Sequence, residues 1–329
     1  MVNWIQYEGH ADGWDKQLET LGGGFYQSHG WGKVRCVAGW LPVRLLATSR
    51  GQVVAAASVL TQRRAGIQVC WIPGGPVGPA VHFESGFRDV LGKLLGCRIF
   101  YCRMSLLRES LQEEKEGLVR TGWKRPSVNM SSGLTMLYSL KEEEFERLSR
   151  TSRNWRHNLK RSDSHGLLIE RWNRPNLTEI SALYREMEEL KSIPVQHSEA
   201  ELEAMLVNLG DRLVLYRCLD AEGRLLAVRG AGLFGDTAWD LLAAAGASAR
   251  KVYASHATLW ALFEHCRQRG LSHYDLSGVD PIGNKGVYDF KQGTGARLVE
   301  CLGEWEWASL PGMCWAFNWA LKQRGGASS

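Results

Sequence analysis

The sequence predicts an α/β (α+β) protein made of two tandem copies of one unit. The first observation is a repeated order of elements: hairpin, strand, helix and strand, read once between residues 42 and 105 and again between residues 212 and 276. The second is that each hairpin closes on a short glycine-containing turn, Arg50-Gly51-Gln52 in the first copy and Ala221-Glu222-Gly223 in the second. The third is size, since 329 residues with 44% hydrophobic content suffice for two domains with real cores.

In chain order, Trp14 to Leu21 has a short helical pattern that Gly22-Gly23-Gly24 stops; no GKS or GKT follows, so these glycines make no nucleotide P-loop. Pro42 to Ser49, Val53 to Gln62 and Gly66 to Ile72 read as strands, Glu84 to Leu95 as a helix and Arg98 to Ser105 as a strand. Ser139-Leu140-Lys141-Glu142 has the pattern of a capping box and opens the most charged helical stretch of the chain. Leu177 to Leu190 presents Ile180, Leu183, Tyr184 and Met187 on one face, and Glu199 to Leu209 opens on the capping box Ser198 to Glu201; Lys191 falls in the linker between them. The second copy follows as Arg212 to Leu219, Leu225 to Leu233 and Thr237 to Ala244. Its helix has Ser255 as N-cap and Leu259, Leu262, Phe263 and Cys266 on one face, and His273 to Leu276 supplies its last strand. A brief helical pattern then carries Phe290-Lys291, and an alternating strand ends in Glu304-Trp305-Glu306-Trp307. Gly312 to Arg324 is expected to form an amphipathic helix with Trp315, Phe317, Trp319 and Leu321, docked on the core or set on a membrane surface, and Gly325 to Ser329 to be disordered.

Composition narrows the function. The eight cysteines stand singly, with no CxxC pair and no zinc-ligand spacing with histidine, so they read as buried thiols in a reducing cytoplasm and no metal is expected. The N-terminus lacks the basic region and apolar stretch of a signal peptide, and the longest apolar run, Val53 to Leu60, is too short to span a bilayer. A net charge of +5 permits an anionic partner. The charge is concentrated: from Arg150 to Arg161 there are five basic residues and no acid, with Arg153, Arg156 and Lys160 on one helical face and Trp155 and Leu159 pointing elsewhere. Charge runs are usually solvated faces. A stripe of like charges repels itself, however, and a bound phosphate relieves that cost.

The stretch from Ser272 to Trp307 organises the chemistry. Phe290-Lys291, held among turn signals and glycines, is a way to present one cation in a walled pocket, although such a pair is more often one core and one solvated residue. Asp275 and Asp280, at a strand end, could act as bases or cap turns.

Five motifs in order carry a family resemblance: Gln27-Ser28 with Trp31-Gly32-Lys33-Val34-Arg35, Ile72-Pro73-Gly74-Gly75-Pro76-Val77, Arg156-His157-Asn158-Leu159-Lys160-Arg161, Tyr274-Asp275-Leu276-Ser277-Gly278, and Phe290-Lys291 with Gly293 and Gly295. Together they span residues 27 to 295, and the chain resembles the Fem family of non-ribosomal peptidyltransferases that build peptidoglycan interpeptide bridges. The resemblance implies two GNAT-like domains, residues 1–138 with 309–329 and residues 139–308. It implies transfer of an amino acid from aminoacyl-tRNA to an amine of a stem peptide on UDP-MurNAc-pentapeptide or its lipid-linked form, with no cofactor. By the same resemblance Phe290 and Lys291 are catalytic, Lys291 supporting the tetrahedral intermediate. Arg35 and Lys191 meet the nucleotide diphosphate, and Trp31, Tyr274 and Asp275 line the substrate site. The stripe Arg153, Arg156, Lys160 and Arg161 is assigned to tRNA phosphates.

The chain departs from the family pattern in two places. Nothing between Leu177 and Leu209 is long enough for the coiled-coil hairpin of many members, and His256 with the segment SHATLW replaces a more usual proline-asparagine-tyrosine run. The 14 tryptophans suit stacking on bases or sugars, and large aromatics are also the usual filling of a core.

An aminoacyl ester is already activated, so a neutral amine attacks it without a covalent enzyme intermediate, and no Cys/His or Ser/His/Asp constellation is recognisable. The rival donors are acyl-CoA, the commoner substrate of GNAT-like folds, and an aminoacyl group destined for a peptide antibiotic or polysaccharide. A third reading is a silent glycan-binding module. The expected enzyme is a cytoplasmic monomer, with the inner face of the membrane as a peripheral location.

Overall fold

The computed structural model describes residues 2–83 and 85–323. Contacts divide the chain into two units: Met1–Thr135 with Gly278–Gly283 and Val299–Ser329, and Met136–Ser277 with Asn284–Leu298. The sequence reading kept 278–283 and 299–308 in the second domain and 136–138 in the first; contacts group the former with the first unit, where residues 301–308 pair with the strand Phe100–Glu109, and the latter with the second.

The elements of the first unit are β1 (Asn3–Gln6), α1 (Ala11–Thr20), α2 (His29–Arg35), β2 (Leu41–Ser49), β3 (Gln52–Arg64), β4 (Ile67–Pro73), α3 (Ser85–Leu94), β5 (Phe100–Glu109) and α4 (Gln112–Arg120). Those of the second begin with β6 (Leu134–Ser139), α5 (Glu144–Arg150), α6 (Arg153–Ser162), β7 (Leu168–Arg171), α7 (Leu177–Lys191) and α8 (Glu199–Leu209). They continue with β8 (Leu213–Leu219), β9 (Leu225–Phe234), β10 (Thr237–Ala245), α9 (Ala254–Gln268), β11 (His273–Gly278) and α10 (Lys285–Gly293). The chain returns to the first unit through β12 (Arg297–Ala308) and α11 (Met313–Gln323).

The strand order is β1-β2-β3-β4-β5-β12 in the first unit and β6-β11-β10-β9-β8-β7 in the second. In both, antiparallel hairpins lead to a parallel pair across a helical crossover, β4 with β5 over α3 and β10 with β11 over α9. A parallel pair needs such a crossover because its strands run the same way. The repeated order read from the sequence is therefore a repeated topology.

The first core gathers Trp4, Leu45, Val59, Ile72, Phe87, Met104, Trp123 and Trp305. In the second, Leu259, Leu262, Phe263 and Cys266 of α9 are fully enclosed, as are Ile180, Leu183, Tyr184 and Met187 of α7, which are the faces their 3.6-residue period assigned.

Several local expectations change. Ser139–Glu142 does not cap a helix: Glu142 accepts both terminal nitrogens of Arg150 at 2.8 and 2.9 Å, and α5 starts at Glu144. The charged stretch is two helices, because Ser152 caps α6 by accepting from Trp155 N at 3.2 Å. Lys191 closes α7 and is not in a linker. Helix α9 begins at Ala254, one residue earlier than the expected cap, with Tyr253 in the left-handed region as N-cap. On α11, Met313 and Asn318 are buried and Phe317 stacks on Tyr101 at 4.2 Å, while Trp315 and Trp319 face solvent. The tail at Gly325–Ser329 and Arg324 lie outside the described residues.

Candidate active site

In the second unit the site is built around a charged residue in each of two apolar strands. Arg229 on β9 donates to both carboxylate oxygens of Asp240 on β10, at 3.1 and 2.8 Å. Tyr274 on β11 donates its hydroxyl to the same carboxylate at 3.1 Å. Burial lowers the pKa of Arg229, but the charge and hydrogen bonds of Asp240, with Tyr274 and Tyr184, together outweigh it and raise the guanidinium's pKa. Tyr274, expected to line the substrate site, is fully enclosed, with its ring 4.8 Å from that of Phe263. It bears on the site through Asp240.

Lys291 lies on the last turn of α10 and is only 7% exposed. Its ammonium donates to the carbonyl of Ser277 at 3.5 Å. Ser277 sits at φ +63, a left-handed conformation that costs a non-glycine residue about 1–2 kcal/mol. Two bonds hold it there: its N–H donates to Asp275 Oδ1 and its hydroxyl to the carbonyl of Asp240, both at 2.7 Å. Asp275 is thus engaged in shaping the turn that faces Lys291. Asp280 caps the next turn, accepting from the N–H groups of Ile282 and Gly283. Burial lowers the pKa of Lys291; Asp240 and Asp275 oppose that, and Arg229 reinforces it.

Phe290 is half-buried. The guanidinium of Arg229 lies 5.4 Å from its ring centroid, and the His256 ring meets it edge-on at 5.0 Å. Trp155 of α6 completes the wall, 5.1 Å from His256 and 6.1 Å from Phe290. Burial, with Arg229 adding to it, lowers the pKa of His256 to about 4, so its imidazole is neutral at pH 7. Its Nε2 faces the Asn158 amide at 3.5 Å.

The glycines after Phe290-Lys291 are explained by close approach. The carbonyl of Gly293 accepts from Ser152 N at 2.8 Å, and a Cβ on Gly295, at φ +85, would sit 2.6 Å from the carbonyl oxygen of Arg150. The end of α10 is thereby seated on the junction of α5 and α6.

Arg153, Arg156, Lys160 and Arg161 are all exposed, and none makes an ion pair among the described residues. Arg150, counted with them in the sequence, is drawn off by Glu142. Lys191, exposed on α7, has its pKa lowered by partial desolvation and by Arg229.

The first unit holds a separate cationic site. Arg35, at the end of α2, has its guanidinium 5.9 Å from the Trp31 ring and 5.7 Å from the Trp71 ring, with Trp40 packed 5.8 Å from Trp71. The indole N–H groups of Trp31 and Trp71 are buried without a partner among the described residues. Cation and N–H donors together suit an anion. Gln27 is architectural: its side chain bonds Pro73 O at 2.7 Å and both the N–H and the carbonyl of Ser58. Gly75 is required because a Cβ there would lie 2.4 Å from the Gln27 carboxamide carbon.

Sequence reasoning missed Arg229, Asp240 and Trp71, and named Ser277 only as a member of a motif, with no role. The signal for the first two was present, a lone charge inside each of two adjacent apolar runs, LLAVRGAGLF and TAWDLLAAA. No helix of the described residues is long and apolar enough to cross a membrane, and no group of three or more His, Cys, Asp or Glu could hold a metal among them.

These two units, each with its parallel pair beside antiparallel hairpins, are of the tandem GNAT-like class. Residues 225–322 match the model of the FemAB family, a stretch that contains Arg229, Asp240, His256 and Lys291. A crystal structure of FemX superposes with a TM-score of 0.80 at 16% identity, over 98% of this chain and 99% of that one. A tandem GNAT protein from the clavulanic acid biosynthesis pathway gives 0.56 at 14% identity, over 94% and 99%. L-PGS from Bacillus licheniformis gives 0.56 at 13%, over 95% and 98%. At these identities the likeness is one of fold. No curated protein matches the sequence.

Proposed function

We propose that the protein is an aminoacyltransferase that moves an amino acid from aminoacyl-tRNA to an amine of a peptidoglycan stem peptide, carried on UDP-MurNAc or on its lipid-linked form. The observation that carries this reading is Lys291, a buried ammonium held against a strained carbonyl turn within the FemAB-matched segment. The unpaired stripe on α6 supports a polyanionic donor, and the Arg35 site with Trp31 and Trp71 supports a nucleotide diphosphate on the acceptor. The cytoplasm, where charged tRNA and nucleotide-linked precursors are found, is the compartment this reading requires.

The reaction balances without a covalent enzyme intermediate. The acceptor nitrogen forms a bond to the ester carbonyl carbon, Lys291 stabilises the developing oxyanion, and the ester C–O bond breaks as the tetrahedral centre collapses. The proton lost by the amine goes to the departing ribose hydroxyl. A preorganised cation at an oxyanion is worth about 10²–10³ in rate. Lys291→Met, which keeps an unbranched side chain in the buried position, is expected to lower transfer by about that factor while melting like the parent. Unchanged turnover would remove Lys291 from the mechanism.

A further inference from the structure

We infer that Tyr253 is a stacking platform for the single-stranded end of the RNA donor, placed between the basic stripe and Lys291; this rests on the aminoacyl-tRNA reading above. Tyr253 is the N-cap residue of α9, at φ +58 and ψ 27, and its side chain makes no capping bond. A left-handed tyrosine costs about 1–2 kcal/mol where glycine or asparagine would not. Core packing does not account for it, since the ring is only partly covered.

Its neighbours do account for it. The guanidinium of Arg161, the last cation of the stripe, lies 5.1 Å from the ring centroid, and His165 lies 6.2 Å away. The His256 ring lies 6.1 Å from that of Tyr253 and Phe290 5.0 Å from His256, and Phe290 directly precedes Lys291 in sequence. Ring contacts thus link Arg161 of the stripe, through Tyr253 and His256, to Phe290, the residue next to Lys291 in sequence. Just before Tyr253, Arg250 and Lys251 are both exposed and make no ion pair among the described residues, which extends the unpaired cations onto this turn. Cations that track a backbone beside aromatic faces are the arrangement that holds a single strand. Paired nucleotides offer phosphates alone; an unpaired end also offers its base faces, and it is that end which carries the amino acid ester.

The test is binding of uncharged bulk tRNA, intact or trimmed of its single-stranded 3′ nucleotides, to the full chain. Tyr253→Asn suits the left-handed conformation, so it removes the ring without straining the turn, and Tyr253→Trp keeps a stacking face. Wild type is expected to prefer intact tRNA, Tyr253→Asn to bind it about tenfold more weakly with no change on trimmed tRNA, and Tyr253→Trp to stay near wild type. Reversing Arg250 and Lys251 to Glu is expected to weaken both RNAs and to flatten the salt dependence. If Tyr253→Asn bound intact tRNA like wild type, or lost affinity equally for both RNAs, this inference would be overturned and the donor reading would stand. Absence of any tRNA binding by wild type would overturn both.

Discussion

At Lys291, burial and charge act in opposite directions. Desolvation lowers its pKa while Asp240 and Asp275 hold the proton on, and the outcome is an ammonium that discharges below the ordinary lysine range. Since the proposed step needs the charged form, transfer is expected to fall as pH rises through that lowered pKa, with an alkaline limb setting in below about 10.4. A rate flat to the ordinary lysine range, measured with saturating donor, would contradict a role for this ammonium. His256 supplies a second residue-scale prediction. Its folded pKa, about 4, lies below the unfolded 6.5, so at lower pH the unfolded chain binds a proton the folded one refuses. The resulting stability is complete above pH 6.5 and is lost as pH falls from 6.5 towards 4, by at most about 3 kcal/mol. Denaturant titrations of His256→Phe should show a shallower loss over that window than wild type; equal slopes would mean that the imidazole is already charged when folded.

At the scale of elements, β9 and β10 are joined by more than their ladder. Arg229 and Asp240 are each under a tenth exposed, so removing one leaves the other charged and unpaired in the interior. Arg229→Met is expected to cost about 3–5 kcal/mol in chemical denaturation, far more than a surface ion-pair deletion such as Lys285→Met at Lys285–Asp289. A cost near zero would show that the carboxylate is solvated. The elements also show what was legible in the sequence. The faces of α7 and α9 and the capping box of α8, formed by Ser198 and Glu201, were readable because period and cap are local properties. The break between α5 and α6 was not. Ser139 and Glu142 have the spacing of a capping box, but Arg150, eight residues on, claims Glu142, and Ser152 makes the cap. Strand β1 has four residues with one buried, too little for any period to show. Lys291 could be singled out from its surroundings, whereas the turn at Ser277 that receives it could not, because a left-handed serine leaves no mark in sequence.

At the scale of the whole molecule, the duplicated topology carries two different sets of residues. Each unit repeats the hairpins and the parallel pair, and the copies differ in what decorates them. One carries Arg35 among tryptophans; the other carries the buried Arg229–Asp240 pair, Lys291 and the α6 stripe. The same scaffold serves acyl-CoA chemistry elsewhere, so fold alone does not choose the donor. The unpaired cations of α6 do favour one, since a tRNA presents phosphates far beyond the three of a CoA.

The most direct measurement is transfer of labelled amino acids from a charged bulk tRNA pool to UDP-MurNAc-pentapeptide, alongside ribonuclease-treated and acetyl-CoA-fed reactions. The account predicts label in the muropeptide only while the tRNA is intact. Acetylation from CoA with no transfer from tRNA would contradict it.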